Sequence, residues 1–171
     1  MVHQGVKEAL EAFVKKGGVL VTGFMSGIVG ESDNVYLGGY PGPLRDLAGI
    51  WVEEIDALAP EQKNSVKFKD GTEFTSTMLC DLIHLEGAES MADYSSNFYA
   101  GTPAVTKNSY GKGKFVVDNF GLCEKATRGF FAASYSLLTD VMVYPVLNGS
   151  VFYLDDFHLL CRVETEHISN V

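Results

Sequence analysis

The side chains best suited to hydrolytic chemistry are one serine and two histidines. Ser26 follows an apolar run and lies between Gly23 and Gly27, and a strained turn after a buried strand is where many hydrolases expose a nucleophile. The glycine spacing differs by one residue from that turn, and a serine nucleophile also needs a histidine and an acid. His84 and His158 are available, but no sequence feature selects either. We therefore interpret Ser26 as a loop hydroxyl, with a nucleophile as the alternative.

Two other groups have metal-binding or thiol chemistry. Asp155 and Asp156 end an apolar run at residues 151–154, and carboxylates at a strand end can hold a divalent cation. Adjacent strand residues point to opposite faces, so the two carboxylates share a site only with a bulge. We expect no metal and no cofactor, and this pair is the weak metal candidate. Cys80 lies in an apolar run without a nearby base, which favours a core thiol over a nucleophile.

The elements that would position these side chains alternate between helices and strands. An amphipathic pattern predicts a helix over residues 6–16, and two glycines lead from it into an apolar strand at 19–22. An all-apolar strand after a helix is typical of a parallel sheet covered on both faces. Residues 43–48 and 125–140 are predicted as further helices. The other predicted strands are at residues 50–55, 65–69, 73–77, 81–86, 90–94, 104–107, 114–117 and 151–154.

Two turns predict antiparallel hairpins. An Asp-Gly pair at residues 70–71 separates two strand-like runs, which is a strong hairpin signal. A Gly-Lys-Gly turn at residues 111–113 also joins two strands. A phosphate-binding loop would instead join a strand to a helix, so we interpret this turn as a second hairpin.

The leading candidate for a functional surface is a segment rich in glycine and proline at residues 36–45, at the end of a long loop over residues 23–43. It carries aromatic and apolar side chains next to an arginine, and tyrosine and arginine are favoured at the centres of protein interfaces. The alternative is a loop packed on its own domain, and the residues alone leave both interpretations open. The interface candidates are Tyr36, Leu37, Tyr40, Pro41, Leu44 and Arg45.

Composition and charge exclude several classes of function. The chain has 171 residues, which suits one domain, and 46% of them are apolar, as in globular proteins. A net charge of −9 repels phosphate backbones, so we expect no nucleic-acid partner. No apolar stretch reaches the roughly 20 residues of a membrane-spanning helix. The first residues lack a signal-peptide pattern, so we expect a cytoplasmic protein without membrane contact.

Several motifs carry a resemblance to a known family. The strongest is the unusual run Leu-Gly-Gly-Tyr-Pro-Gly-Pro-Leu-Arg-Asp at residues 37–46. These motifs resemble the trimerisation domain of family 42 β-galactosidases over about two thirds of the chain. The shorter matching segments are residues 16–22, 26–29, 49–50, 98–105 and 110–113.

The resemblance implies both a fold and a role. The implied fold is α/β, a flavodoxin-like layered sheet of the class I glutamine amidotransferase type, partial and with added antiparallel hairpins. The amidotransferase catalytic residues are absent from it. The implied role is a non-catalytic domain that holds hydrolase chains together, as a homo-oligomer or as a hydrolase subunit. We therefore expect no enzyme activity in isolation.

The chain also departs from that family. Members carry a further β/α unit before the first helix, and they carry a catalytic barrel. The resemblance thus implies a truncated single domain at residues 1–157. The strand and helix pattern ends at His158, so we expect a frayed tail at 158–171. Short segments between residues 127 and 157 resemble a bacterial group in which an amidotransferase-like domain precedes a polysaccharide-deacetylase-like barrel. The alternative function is therefore an amidotransferase-like or deacetylase-related fragment of a sugar-processing enzyme.

Overall fold

The computed structural model describes residues 2–3 and 5–122. In these residues the helices are α1 (Val6–Lys15), a 3₁₀ helix (Gly42–Leu44) and α2 (Arg45–Ala48). The strands are β1 (Val19–Gly23), β2 (Ile50–Ala57), β3 (Asn64–Phe68), β4 (Glu73–Leu85), β5 (Glu89–Tyr94), β6 (Pro103–Tyr110), β7 (Gly113–Asp118) and β8 (Phe120–Leu122). None of the helices in this part of the chain has the length and apolar character needed to cross a bilayer.

The strands form one mixed sheet that curls into a half-barrel. The strand order is β1-β7-β6-β5-β3-β4-β2, and β8 pairs with β4 outside this order. β1 and β7 are parallel, with Val19 opposite Lys114 and Gly23 opposite Asp118. The other described pairs are antiparallel. Because β8 follows β7 after Asn119 and reaches β4, the series of pairings turns back on itself.

The expected flavodoxin-like layered sheet of the class I glutamine amidotransferase type is wrong. Strands make up 46% of the structure and helices 15%, so the helices cannot cover both faces of a sheet as that α/β architecture requires. β1 shows where the prediction failed. It was expected inside a parallel sheet, yet it lies at the end of the strand order and is partly exposed. Most neighbouring strands are antiparallel instead, because a hairpin needs only a short turn.

Both predicted hairpins are confirmed. β3 and β4 flank the first turn, where the Thr72 amide donates to the Asp70 carboxylate over 2.8 Å. β6 and β7 flank the second turn, where Gly111 has a φ of +61° that favours glycine. The strands predicted separately at 73–77 and 81–86 form the single strand β4.

The first predicted helix is confirmed as α1, which packs closely on β7. Val14 of α1 is fully buried. At Gly113 a Cβ atom would overlap the Val14 carbonyl oxygen, so only glycine permits this approach. The Lys112 amide donates to the Lys15 carbonyl over 3.1 Å. The end of α1 and the β6–β7 turn therefore form one rigid corner. The helix predicted at 43–48 is also confirmed, as the 3₁₀ helix and α2.

Two apolar clusters form the core, one on each face of β7. Phe115 and Val117 point to a cluster with α1 and α2, which includes Val14 and Leu47. Val116 points to the other face because side chains alternate along a strand. Its cluster is built from strand residues and Tyr99. The sheet is thus covered by helices on one face and closes on itself on the other.

Three predictions fall outside the described residues. They are the helix at 125–140, the strand at 151–154 and the tail at 158–171. The domain boundary at residue 157 therefore stays a prediction.

Candidate functional site

The loop between β1 and the 3₁₀ helix folds on itself before it reaches the sheet. Val29 and Val35 form an antiparallel bridge, and the Gly30 amide donates to the Asn34 carbonyl over 3.0 Å. The Val2 amide donates to the Val29 carbonyl over 3.2 Å. These bonds give the loop a defined structure and tie it to the start of the chain.

The second half of the loop is anchored inside the domain. Tyr40 pairs with Val52 of β2 through two backbone hydrogen bonds of 3.3 and 2.7 Å. The Tyr40 hydroxyl donates to the carboxylate of Asp81 in β4, and both residues are buried. Pro41 and Leu44 are buried as well. Three of the six interface candidates therefore lie within the chain's own core.

Burial changes the pKa values of Tyr40 and Asp81, which anchor the loop to β4. Removal from water raises the pKa of Asp81 from its ordinary 3.8 to about 6, and the hydrogen bond from Tyr40 acts in the opposite direction. Burial likewise raises the pKa of the Tyr40 hydroxyl, which therefore keeps its proton and donates. Among the described residues, the second Asp81 oxygen has no partner. The hydrogen bond from Tyr40 thus offsets part of the free-energy cost of burying the Asp81 carboxyl.

The first half of the loop presents apolar side chains to solvent. Leu37 is fully exposed and Val35 is 62% exposed. Tyr36 is half-buried. The loop backbone is fixed beside them because the Trp51 indole donates to the Gly38 carbonyl. An exposed leucine is therefore held on a supported backbone, which lowers the entropy lost when a partner binds.

Arg45 begins a row of stacked side chains beside the loop. Its Nε donates to Glu86 Oε2 over 2.5 Å, and an Nη donates to the other carboxylate oxygen. The hydrogen bond from Arg45 lowers the pKa of Glu86. The guanidinium lies 5.4 Å from the ring centroid of Trp51, whose ring stacks on His84 at 4.7 Å. His84 Nε2 lies 2.7 Å from a Glu53 carboxylate oxygen. Arg45, Trp51 and His84 thus form a partly exposed strip that contacts the loop backbone at Gly38.

Within residues 2–3 and 5–122, the candidate nucleophiles do not lie in a catalytic arrangement. Of the histidines considered for a triad, His84 bonds to Glu53 rather than to Ser26, and His158 lies outside the described residues. Cys80 is fully buried, and its thiol accepts from the Asn64 amide over 3.4 Å. Burial raises the Cys80 pKa and so disfavours the reactive thiolate. The contacts of His84 and Cys80 are therefore those of residues that stabilise the fold.

The weak metal candidates, Asp155 and Asp156, also lie outside the described residues. Within residues 2–3 and 5–122, no group of three histidine, cysteine or carboxylate side chains is placed to hold a metal ion.

Sequence reasoning missed three surface residues. Trp51 is the single tryptophan of the chain, and that rarity could have marked it because tryptophan is enriched at interface hot spots. Glu86 reaches Arg45 across 41 positions, and no local pattern predicts such a pair. Phe98 is 91% exposed beside Asn97, whose φ is +60°. An asparagine before two aromatic residues was the available signal for that turn.

Comparison with known proteins identifies the family. The family model described as the β-galactosidase trimerisation domain matches residues 1–122. The chain therefore belongs to the β-galactosidase trimerisation domain family. The match confirms the resemblance carried by residues 37–46 and favours the association domain over the enzyme-fragment alternative.

Individual relatives agree with the family match. The chain is 53% identical over 114 residues to β-galactosidase LacA of Lactobacillus acidophilus, which covers 67% of this chain and 17% of that protein. It is 45% identical over 145 residues to β-galactosidase Pbg of Clostridium perfringens, which covers 81% and 21%. The solved β-galactosidase of Rahnella sp. R3 superposes with a TM-score of 0.74 at 44% identity, over 80% of this chain and 21% of that one. The chain thus spans about a fifth of the length of these relatives.

Proposed function

We propose that this chain holds β-galactosidase subunits together as a trimer and performs no reaction itself. The family match over residues 1–122 carries the proposal. The surroundings of His84 and Cys80 support it, because His84 bonds to Glu53 rather than to Ser26 and the buried Cys80 thiol accepts from Asn64. β-Galactosidase activity, and with it a place in cytoplasmic carbohydrate metabolism, would belong to the assembled enzyme.

The loop supplies part of the contact in this proposal. Leu37 and the partly exposed Tyr36 and Arg45 would meet a neighbouring subunit, since exposed apolar, tyrosine and arginine side chains suit an interface centre. Tyr40, Pro41 and Leu44 would act from inside by fixing the loop backbone. The six candidates thus divide into three that contact and three that position.

Light scattering coupled to size-exclusion chromatography tests this proposal on the 171-residue chain. We expect a trimer that dissociates on dilution, and we expect Leu37→Asp to weaken association about tenfold or more because it buries a charge at the contact. Met78→Asp is the matched control, since Met78 is 63% exposed on β4, outside the loop. A wild-type chain that stays monomeric at high concentration contradicts the proposal. Equal effects of the two variants would exclude Leu37 from the contact.

A further inference from the structure

A basic surface lies at the end of α1. Lys15, Lys16 and Lys112 are exposed there, and the hydrogen bond from the Lys112 amide to the Lys15 carbonyl holds them on one rigid corner. Within the described residues none of the three forms an ion pair. Phe13 of α1 is 51% exposed nearby and packs over Gly18. Among the described residues, the surface therefore offers three lysines without an ion pair near an exposed ring, in a chain whose net charge is −9.

An acidic cleft lies at the end of β2. Glu54 and Asp56 are exposed along its wall, and the exposed Phe98 ring forms the opposite side. Phe98 packs edge-on against Tyr99 at 5.3 Å, and the Tyr99 hydroxyl donates to Asp56. Asn97 fixes the turn by donating to the backbone carbonyl of Lys63. The ring and the carboxylates are therefore positioned before any partner arrives.

The two surfaces are separate, because they lie at opposite ends of β6. The basic corner contains the turn that follows β6, whereas Tyr99 belongs to the turn that precedes it. β6 has eight residues, and at about 3.3 Å per residue it places these ends roughly 25 Å apart. One neighbour can thus contact the first surface while another contacts the second.

A closed trimer with threefold symmetry needs two different surfaces on each chain, since each copy meets its neighbours head to tail. An aromatic ring beside carboxylates binds an ammonium group through cation–π attraction and charge-assisted hydrogen bonds. We propose that the acidic cleft of one copy receives the basic corner of the next copy. This inference rests on the proposed trimer and adds a charged contact to the one that the loop supplies.

Charge reversal on the whole chain tests the contact by sedimentation velocity. Lys15→Glu with Lys112→Glu reverses the corner, and Glu54→Lys with Asp56→Lys reverses the cleft. Each pair of substitutions places like charges opposite each other and is expected to weaken association about tenfold or more. The four substitutions together restore opposite charges, so association should return to within about threefold of wild type. Added sodium chloride should weaken the wild-type trimer progressively.

Two further variants keep the result interpretable. Lys67→Glu with Lys69→Glu changes the net charge as the corner reversal does, on exposed lysines of β3 and the turn after it, and should leave association unchanged. Because Asp56 accepts the Tyr99 hydroxyl, Glu54→Lys alone tests the cleft without losing that bond, with circular dichroism to check folding. The proposed contact is wrong if neither charge reversal weakens the trimer. It is also wrong if the variant with all four substitutions associates as weakly as the variants with two, and in both cases the trimer itself still stands. A monomeric wild-type chain contradicts both proposals.

Discussion

The last ten residues of the loop between β1 and α2, residues 35–44, divide into two halves with similar composition and opposite surroundings. The anchored half, residues 39–44, pairs with β2 and buries Tyr40 and Leu44. The exposed half, residues 35–38, has Leu37 fully in solvent, and its backbone is held by the Trp51 indole. Both halves contain glycine, tyrosine and leucine. One half thus supplies stability, and the other is free to present side chains to a partner.

The largest expected contrast is between the two leucines. Leu44→Ala should lower the free energy of unfolding by about 2–5 kcal/mol, because it leaves a cavity in the core. Leu37→Ala should change it by less than about 0.5 kcal/mol, because the side chain is already in water. Urea denaturation at a concentration where the chain is monomeric measures both. Similar losses for the two variants would contradict the division of the loop.

The adjacent glycines give a second matched pair. Both have a positive φ, +86° for Gly38 and +90° for Gly39. A Cβ at Gly38 meets open space, so Gly38→Ala should cost about 1 kcal/mol of backbone strain. A Cβ at Gly39 would overlap the Trp51 indole and the Val52 carbonyl oxygen. Gly39→Ala should therefore cost about 2–4 kcal/mol. Thermal unfolding followed by circular dichroism ranks the pair, and a larger loss at Gly38 would refute this reasoning.

The smallest expected effect concerns the Tyr40–Asp81 hydrogen bond and depends on pH. Because burial raises the pKa of Asp81 above its unfolded value, its neutral form favours folding. That contribution is complete below about pH 4 and is lost as the pH rises through about 6. Tyr40→Phe removes the donor that lowers this pKa, so the pKa should rise further. The cost should be about 1–3 kcal/mol at about pH 8 and smaller at about pH 5.

Urea denaturation of Tyr40→Phe and wild type at both pH values checks this expectation. Asp118 is a second buried carboxyl whose pKa burial raises to about 7. Asp118 contributes equally to the pH dependence of stability in wild type and in Tyr40→Phe. The difference between their free energies of unfolding therefore reports on Asp81. A deficit that is the same at both pH values would show that the Tyr40 hydroxyl does not bond the ionised carboxylate.

Local signals predicted the elements well and their arrangement poorly. The 3.6-residue pattern of α1 and the turns at 70–71 and 111–113 act within a few residues, so the sequence shows them directly. The apolar run of β1 was misleading, because an edge strand that packs against a helix is as apolar as a central one. The strands predicted separately at 73–77 and 81–86 form one strand, β4, because β3 pairs with its first part and β2 with its second.

The candidate site was predicted as a segment but not in its details. The loop and Arg45 could be chosen from residue types, whereas the burial of Tyr40 depends on Asp81, 41 positions away. The strip of Arg45, Trp51 and His84 likewise joins three separate elements. The acidic cleft requires β2 and the turn at Phe98 to meet.

The helix α1, the hairpin turns, the net charge of −9 and the run at residues 37–46 that marks the family could all be read from the residues alone. These properties follow from residues close together in the chain, or from simple sums over it. The burial of individual loop side chains, the order of the strands and the positions of the two charged surfaces became visible only in the folded chain. Such features depend on contacts between distant residues, and a single sequence does not specify those contacts because many partners fit the same local pattern.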